Sequence, residues 1–151
     1  MDTDKTPKAV VTAFWAAMHA NDFAAAGALL HDDYVLDWPQ SGERVRGRAN
    51  FVAVNAHYPA AGRWQVTLER LVAEGDQAVS QVSVSDGVTR ARAITFSTVQ
   101  AGRIVRQVEY WPDPFPAAGW RAQWTEVDFV HRPRGRLANF SGKLAFLHPR
   151  F

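Results

Sequence analysis

The sequence predicts an α+β domain in which helices lie on one face of a curved antiparallel sheet. Two observations lead there. Apolar residues recur at helical spacing only before about residue 58, and four long strand-like runs joined by glycine-containing turns follow. Helices first and strands after also argue against a parallel nucleotide-binding arrangement, in which the two alternate.

Val10, Val11, Phe14, Trp15 and Met18 line one side of a helix from Pro7 to Ala20, with Pro7 near its start, where a missing N–H costs nothing. Asn21 and Asp22 offer side-chain oxygens to cap a second, alanine-rich helix reaching about Leu30. Tyr34 to Gln40 reads as a short strand stopped by Pro39, Ser41-Gly42 as a turn, and Arg48 to His57 as a third helix. Strands are expected at Arg63 to Ala73, Gln77 to Ser85, Val88 to Gln100 and Arg103 to Trp111. Their connections, Glu74-Gly75-Asp76, Asp86-Gly87 and Ala101-Gly102, hold residues that tolerate positive φ and close hairpins, so the strands form a meander. Pro112, Pro114 and Pro116 end it, and Trp120 and Trp124, four apart, mark a helical turn returning across the mouth of the fold.

Composition limits the function classes. The 151 residues suffice for one domain, and 47% hydrophobic with 21% charged residues is globular rather than disordered composition. The lack of cysteine excludes a disulfide framework and a thiolate nucleophile. The opening MDTDKTPK has no apolar signal core and no apolar run reaches the roughly 18 residues of a membrane helix, so the chain is read as cytoplasmic with no membrane partner. From His131 to Phe151 there are five basic residues and no acid, which leaves the rest of the chain, with 12 basic and 15 acidic residues, near −3. We therefore expect a pocket domain over residues 1–130 and a basic, apolar extension over 131–151. Because the extension also carries Leu137, Phe140, Leu144, Phe146 and Leu147, packing on the body or on a partner subunit is preferred to a nucleic-acid arm.

Between about Pro7 and Glu126 the paired opening helices, the stretch DDYVLDWPQSGERVRGRANF and the closing AGRIVRQVEYWPDPF occur in an order that resembles the SnoaL-like family of the nuclear-transport-factor-2-like superfamily. That resemblance implies a cone-shaped barrel of curved sheet packed against three N-terminal helices, a pocket at its wide end, and homodimers. It does not choose an activity, because similar proteins include polyketide cyclases, ketosteroid isomerases, epoxide hydrolases, dehydratases and binding domains without catalysis. The arginine-acid pair of the epoxide hydrolases has no counterpart in QVSVSDG, which weakens that reading.

Acid-base chemistry in such a pocket needs a carboxyl group in apolar surroundings, where desolvation raises its pKa. Asp37, in Leu36-Asp37-Trp38, and Glu109, in Glu109-Tyr110-Trp111, are the acids beside aromatics. The resemblance sets Glu109 where cyclases and epoxide hydrolases carry an acid on the last strand, and Asp37 near the acid of isomerases. Gln107, Glu109 and Trp111 share one strand face. Each candidate has a structural alternative: Glu109 paired with Arg92 or Arg90 on the solvent face, Asp37 bonded to the Ser41-Gly42 turn, Asp113 ordering its loop. His57 and Tyr58 end the third helix near the expected pocket mouth, as base or donor, or simply as helix-end residues. Trp38 and Trp111, with Trp120 and Trp124, are candidate liners for a flat apolar ligand, or plain core.

No HxxxH or HExxH spacing and no GxGxxG motif occurs, so neither a metal nor a nucleotide cofactor is expected. The preferred function is cofactor-free isomerisation, cyclisation or dehydration of a small apolar carbonyl compound. Glu109 or Asp37 would move the proton, and Tyr58 or His57 would stabilise the oxyanion. The alternative is a non-catalytic ligand-binding or protein-interaction domain. An outward sheet face of Val, Thr and Ser alternating with arginine predicts a homodimer through the sheet.

Overall fold

The computed structural model of the protein describes residues 5–127. The expected packing of the C-terminal extension lies outside the described residues. Helix α1 (Pro7–His19) begins where the Thr6 hydroxyl accepts from the Ala9 N–H, and α2 (Phe23–Ala28) where the Asp22 carboxylate accepts from Ala25. The second helix is shorter than the alanine run suggests, because Leu30 already opens strand β1 (Leu30–Trp38). A short strand β2 (Glu43–Arg46), not anticipated in the sequence, pairs back on β1 before α3 (Arg48–Ala56). The meander is β3 (Gln65–Glu74), β4 (Gln77–Ser85), β5 (Arg90–Gln100) and β6 (Arg103–Tyr110), followed by a 3-10 turn at Gly119–Trp124.

The α+β class holds, with two refinements. Strand order is β2-β1-β6-β5-β4-β3, and the curved sheet stays open, with β2 and β3 as its edges. It is antiparallel except at one junction, where β1 runs parallel to β6 with Leu36 beside Gln107 and Asp37 beside Val108. Parallel pairing there needs a long crossover, which α3 and the meander supply. This junction brings the N-terminal strand against the last one, and so joins two distant stretches of sequence at the centre of the sheet.

The helices cover the concave face. Val10, Val11, Phe14 and Trp15 of α1 are buried, and the Trp15 indole N–H donates to Ser80 Oγ of β4 at 3.0 Å. Between α2 and α3 the contact is closest at Gly27, where a Cβ would come within 2.9 Å of Val52 Cγ2, so only glycine allows that approach. Asn21, between α1 and α2 with φ of 57°, clasps the backbone ahead of β3: its side chain donates to Trp64 O at 2.8 Å and accepts from Trp64 N at 2.9 Å. The residue that introduces the meander is thereby tied to the helical layer.

Alternation along the sheet departs from the sequence reading at one point. Thr95, Ser97 and Ser80 are fully buried on the concave face, while Phe96 and Tyr110 are exposed on the convex face with rings 6.4 Å apart. The convex face is therefore more apolar than the Val, Thr, Ser and Arg pattern expected for it. Val72, Val79, Phe96 and Val108 are successive cross-strand partners in a row across four strands.

Candidate active site

A cavity of about 690 Å³, counting its open mouth, lies between the concave face and the helices. Its walls are aromatic: Phe14 and Trp15 from α1, Phe51 from α3, then Tyr58 and Trp64 at the entry to the meander, with ring centroids 5.1 Å apart. Its polar liners are Gln107 and Glu109, two residues apart on β6, and Asn55 of α3, whose amide N–H donates to Phe51 O at 2.9 Å.

Glu109 is 7% exposed, and its carboxylate is met by three donors. Trp38 Nε1 and Trp111 Nε1 both donate to Oε1, at 2.9 and 3.1 Å, and Thr95 Oγ1 donates to Oε2 at 2.7 Å. Each follows from register: Thr95 faces Glu109 directly across β5 and β6, Trp38 comes one residue after the Asp37-Val108 pair, and Trp111 is the next residue on the same side of its own strand. Burial pushes the Glu109 carboxyl above its usual range, while the bonds from Trp38, Thr95 and Trp111 pull the other way without cancelling it. An indole N–H donates but never accepts, so with two of them on Oε1 the proton of the neutral acid resides on Oε2. The Thr95 hydroxyl, which can donate or accept, suits both protonation states there.

Beside Glu109 runs a second polar chain. Tyr34 OH donates to Gln107 Oε1 at 2.5 Å, and Gln107 Nε2 donates to Ser97 Oγ at 3.2 Å. Burial, reinforced by the nearby Glu109 charge, drives the Tyr34 pKa well above its ordinary value, so the phenol stays protonated and remains a donor.

Of the residues singled out in the sequence, Glu109, Trp38, Trp111 and Tyr58 come together around the cavity. Asp37 does not. Trp38 points into the cavity, so its neighbour points out, and the Asp37 carboxylate is bound by Arg44 at 2.6 Å and Arg106 at 2.8 Å on the convex side. The bond to Arg44, helped by Arg106, holds its carboxyl below the usual range and outweighs the opposing effect of burial. This replaces the bond to the Ser41-Gly42 turn considered as its alternative. His57 is exposed, with Nδ1 2.8 Å from Ala53 O in its own helix, and it does not line the cavity. Asp113 is half-buried in the segment after β6 and is not among the lining residues. Trp120 and Trp124 are 76% and 71% exposed rather than folded into the pocket. The arginine expected as Glu109's alternative partner, Arg92, pairs instead with Glu69 at 2.8 Å.

Thr95, Gln107 and Tyr34 were not singled out as site residues. Among the described residues no group of three or more potential ligands could hold a metal ion, and no helix is long and apolar enough to cross a membrane.

Residues 11–107 match the model of the SnoaL-like domain. The chain belongs to the SnoaL-like family. Structures similar to this SnoaL-like domain include an NTF-2 like protein of unknown function from Burkholderia xenovorans, 34% identical, with a TM-score of 0.67, covering 80% of this chain and 93% of that one. A candidate ketosteroid isomerase from Kribbella flavida is 28% identical at a TM-score of 0.77, covering 83% and 91%. An epoxide hydrolase of the LEH-like type from M. tuberculosis shares the fold at 23% identity and a TM-score of 0.59, covering 70% and 82%. No curated protein matches the SnoaL-like chain in sequence.

Proposed function

We propose that this SnoaL-like domain performs cofactor-free acid-base chemistry, isomerisation, cyclisation or dehydration, on a small, largely apolar carbonyl compound in the cytoplasm. One observation carries the reading: Glu109 is the acid lining a mostly apolar, aromatic-rich cavity, and burial holds its pKa up, in the direction of the neutral range where a carboxyl exchanges protons effectively. The neighbour from Kribbella flavida is named as a candidate ketosteroid isomerase, a name that fits a largely apolar carbonyl ligand. Glu109 moves the proton through Oε2. Trp38, Trp111 and Thr95 hold its carboxyl still, and Tyr58 lines the same cavity beside Trp64.

The second reading, a pocket that binds without turnover, is favoured by the completeness of the Glu109 hydrogen bonds, since a carboxyl with three partners is also a good structural acid. Deuterium exchange separates the two. A panel of alicyclic and aromatic ketones is incubated in D2O with the protein, and loss of the α-proton signals is followed by NMR. Catalysis predicts accelerated exchange for at least one ketone, lowered on the order of 100-fold or more in Glu109→Gln. Ketone binding with exchange no faster than in buffer would establish the binding domain instead.

A further inference from the structure

We infer that Gln107 is the ligand-orienting residue of the pocket, its free amide N–H holding the carbonyl oxygen of the substrate beside the acid. This rests on the acid-base reading of the same cavity and adds the feature of the ligand that the cavity recognises. Gln107 is 1% exposed, yet it borders the cavity. A carboxamide has two N–H donors and one acceptor oxygen. The oxygen is taken by Tyr34 OH at 2.5 Å, and one N–H is spent on Ser97 Oγ at 3.2 Å. Among the described residues no acceptor takes the second N–H. A buried N–H without an acceptor is costly, and buried polar groups in folded proteins nearly always have partners. A ligand oxygen supplied from the cavity resolves that deficit.

The surroundings make this amide a better donor than a surface glutamine. Tyr34 donates into the amide oxygen and stays protonated, which polarises the amide and strengthens its N–H bonds in a low-dielectric site. Ser97 faces Gln107 directly across β5 and β6, and Leu36 faces it from β1, so the side chain is held from both neighbouring strands. Gln107 and Glu109 are two positions apart on one strand face, about 7 Å between backbone positions. A carbonyl oxygen on Gln107 therefore turns the adjoining C–H positions toward Glu109 Oε2. The cavity selects a ligand with an apolar, flat body and one acceptor-only oxygen, and disfavours the same body without the oxygen, because the amide would then be left unpaired.

The test uses acetophenone and ethylbenzene, similar in shape but differing in the oxygen, titrated against the intact chain by tryptophan fluorescence. The expected result is about tenfold preference for acetophenone in wild type, lost in Gln107→Leu. Since Gln107→Leu leaves the Tyr34 hydroxyl without its acceptor, the double variant Tyr34→Phe, Gln107→Leu is measured alongside, with near-UV circular dichroism as a check on the fold. The infrared carbonyl stretch of bound, 13C-labelled acetophenone is expected to shift to lower frequency in wild type, less so in Tyr34→Phe, and not at all in the double variant. Equal affinity for both compounds, binding of neither, or an unchanged preference in the Gln107 variants overturns the inference. A retained preference for acetophenone together with wild-type deuterium exchange no faster than in buffer would sink the catalytic reading alone, so the two failures are separable.

Discussion

Trp38 and Trp111 aim their indole N–H groups at a single oxygen atom, Glu109 Oε1, one from β1 and the other from just past β6. Both bonds favour the charged carboxylate against its burial, so losing either raises the Glu109 pKa further. Trp38→Phe and Trp111→Phe are expected to shift the Glu109 titration, read from its infrared carboxyl band, to higher pH. Each should cost about 2 kcal/mol of stability at a pH where the group is ionised. An unshifted band in both variants would mean that the indoles do not bond this carboxyl.

The pH dependence of stability follows from the same burial. Glu109 has a raised pKa in the fold, so the unfolded chain ionises first, near the ordinary value of 4.5. Its contribution is intact below that pH and is lost as pH climbs through the folded-state value. Glu109→Gln, which keeps an acceptor for the indoles and a donor for Thr95, removes this titration. The melting temperature of the variant minus that of wild type should therefore become more positive from pH 4 upward. A flat difference would contradict the raised pKa.

Asp37 behaves in the opposite sense. Its lowered pKa stabilises the fold above the unfolded value, and this is lost as pH falls through the folded one. Both arginine partners are about half exposed, so Asp37→Asn is expected to cost only about 1 kcal/mol at neutral pH and less in acid. Ketone exchange should be unchanged in this variant. A large loss of exchange would return Asp37 to the site.

The apolar row on the convex face leads to an assembly prediction. With Phe96 and Tyr110 45% and 39% exposed, that face should pair with a second copy. Light scattering at micromolar concentration is expected to give twice 16.8 kDa for wild type and 16.8 kDa for Phe96→Arg. A wild-type monomer would remove the idea.

The helical hairpin and the four-strand meander were legible in the sequence, because their signals are local: 3.6-residue spacing in α1, and glycine turns between strands. What was not legible depends on the parallel β1-β6 junction. Asp37 and Glu109 look alike in sequence, each an acid next to an aromatic. Adjacent residues on a strand point to opposite faces, however, so Trp38 going in sends Asp37 out, whereas Glu109 and Trp111, two apart, go in together. That parity was available and separates the two acids once a buried tryptophan is assumed. In β5 the local pattern misleads: Ile94-Thr95-Phe96-Ser97 reads as apolar-in and polar-out, and the structure has Thr95 and Ser97 inside, where they bond the buried Glu109 and Gln107. Thr95 therefore carried no signal that would set it apart from a solvent-facing strand residue, and Gln107 only the parity that places it on the same strand face as Glu109.

On β6 the odd-numbered side chains Gln107 and Glu109 look into the cavity, and the even-numbered Val108 and Tyr110 look away from it. Two sets of instructions are thus interleaved letter by letter on one strand, and point substitutions can revise either without rewriting the other. A relative can acquire a new ligand through positions 107 and 109 while keeping its convex face, or change that face while keeping its chemistry. A single-residue insertion or deletion within the strand has no such freedom. It would exchange the two sets downstream, leaving a carboxylate among the convex-face residues and an apolar residue where Glu109 stood, so lineages of this fold should vary at β6 by substitution and confine length changes to the turns at its ends.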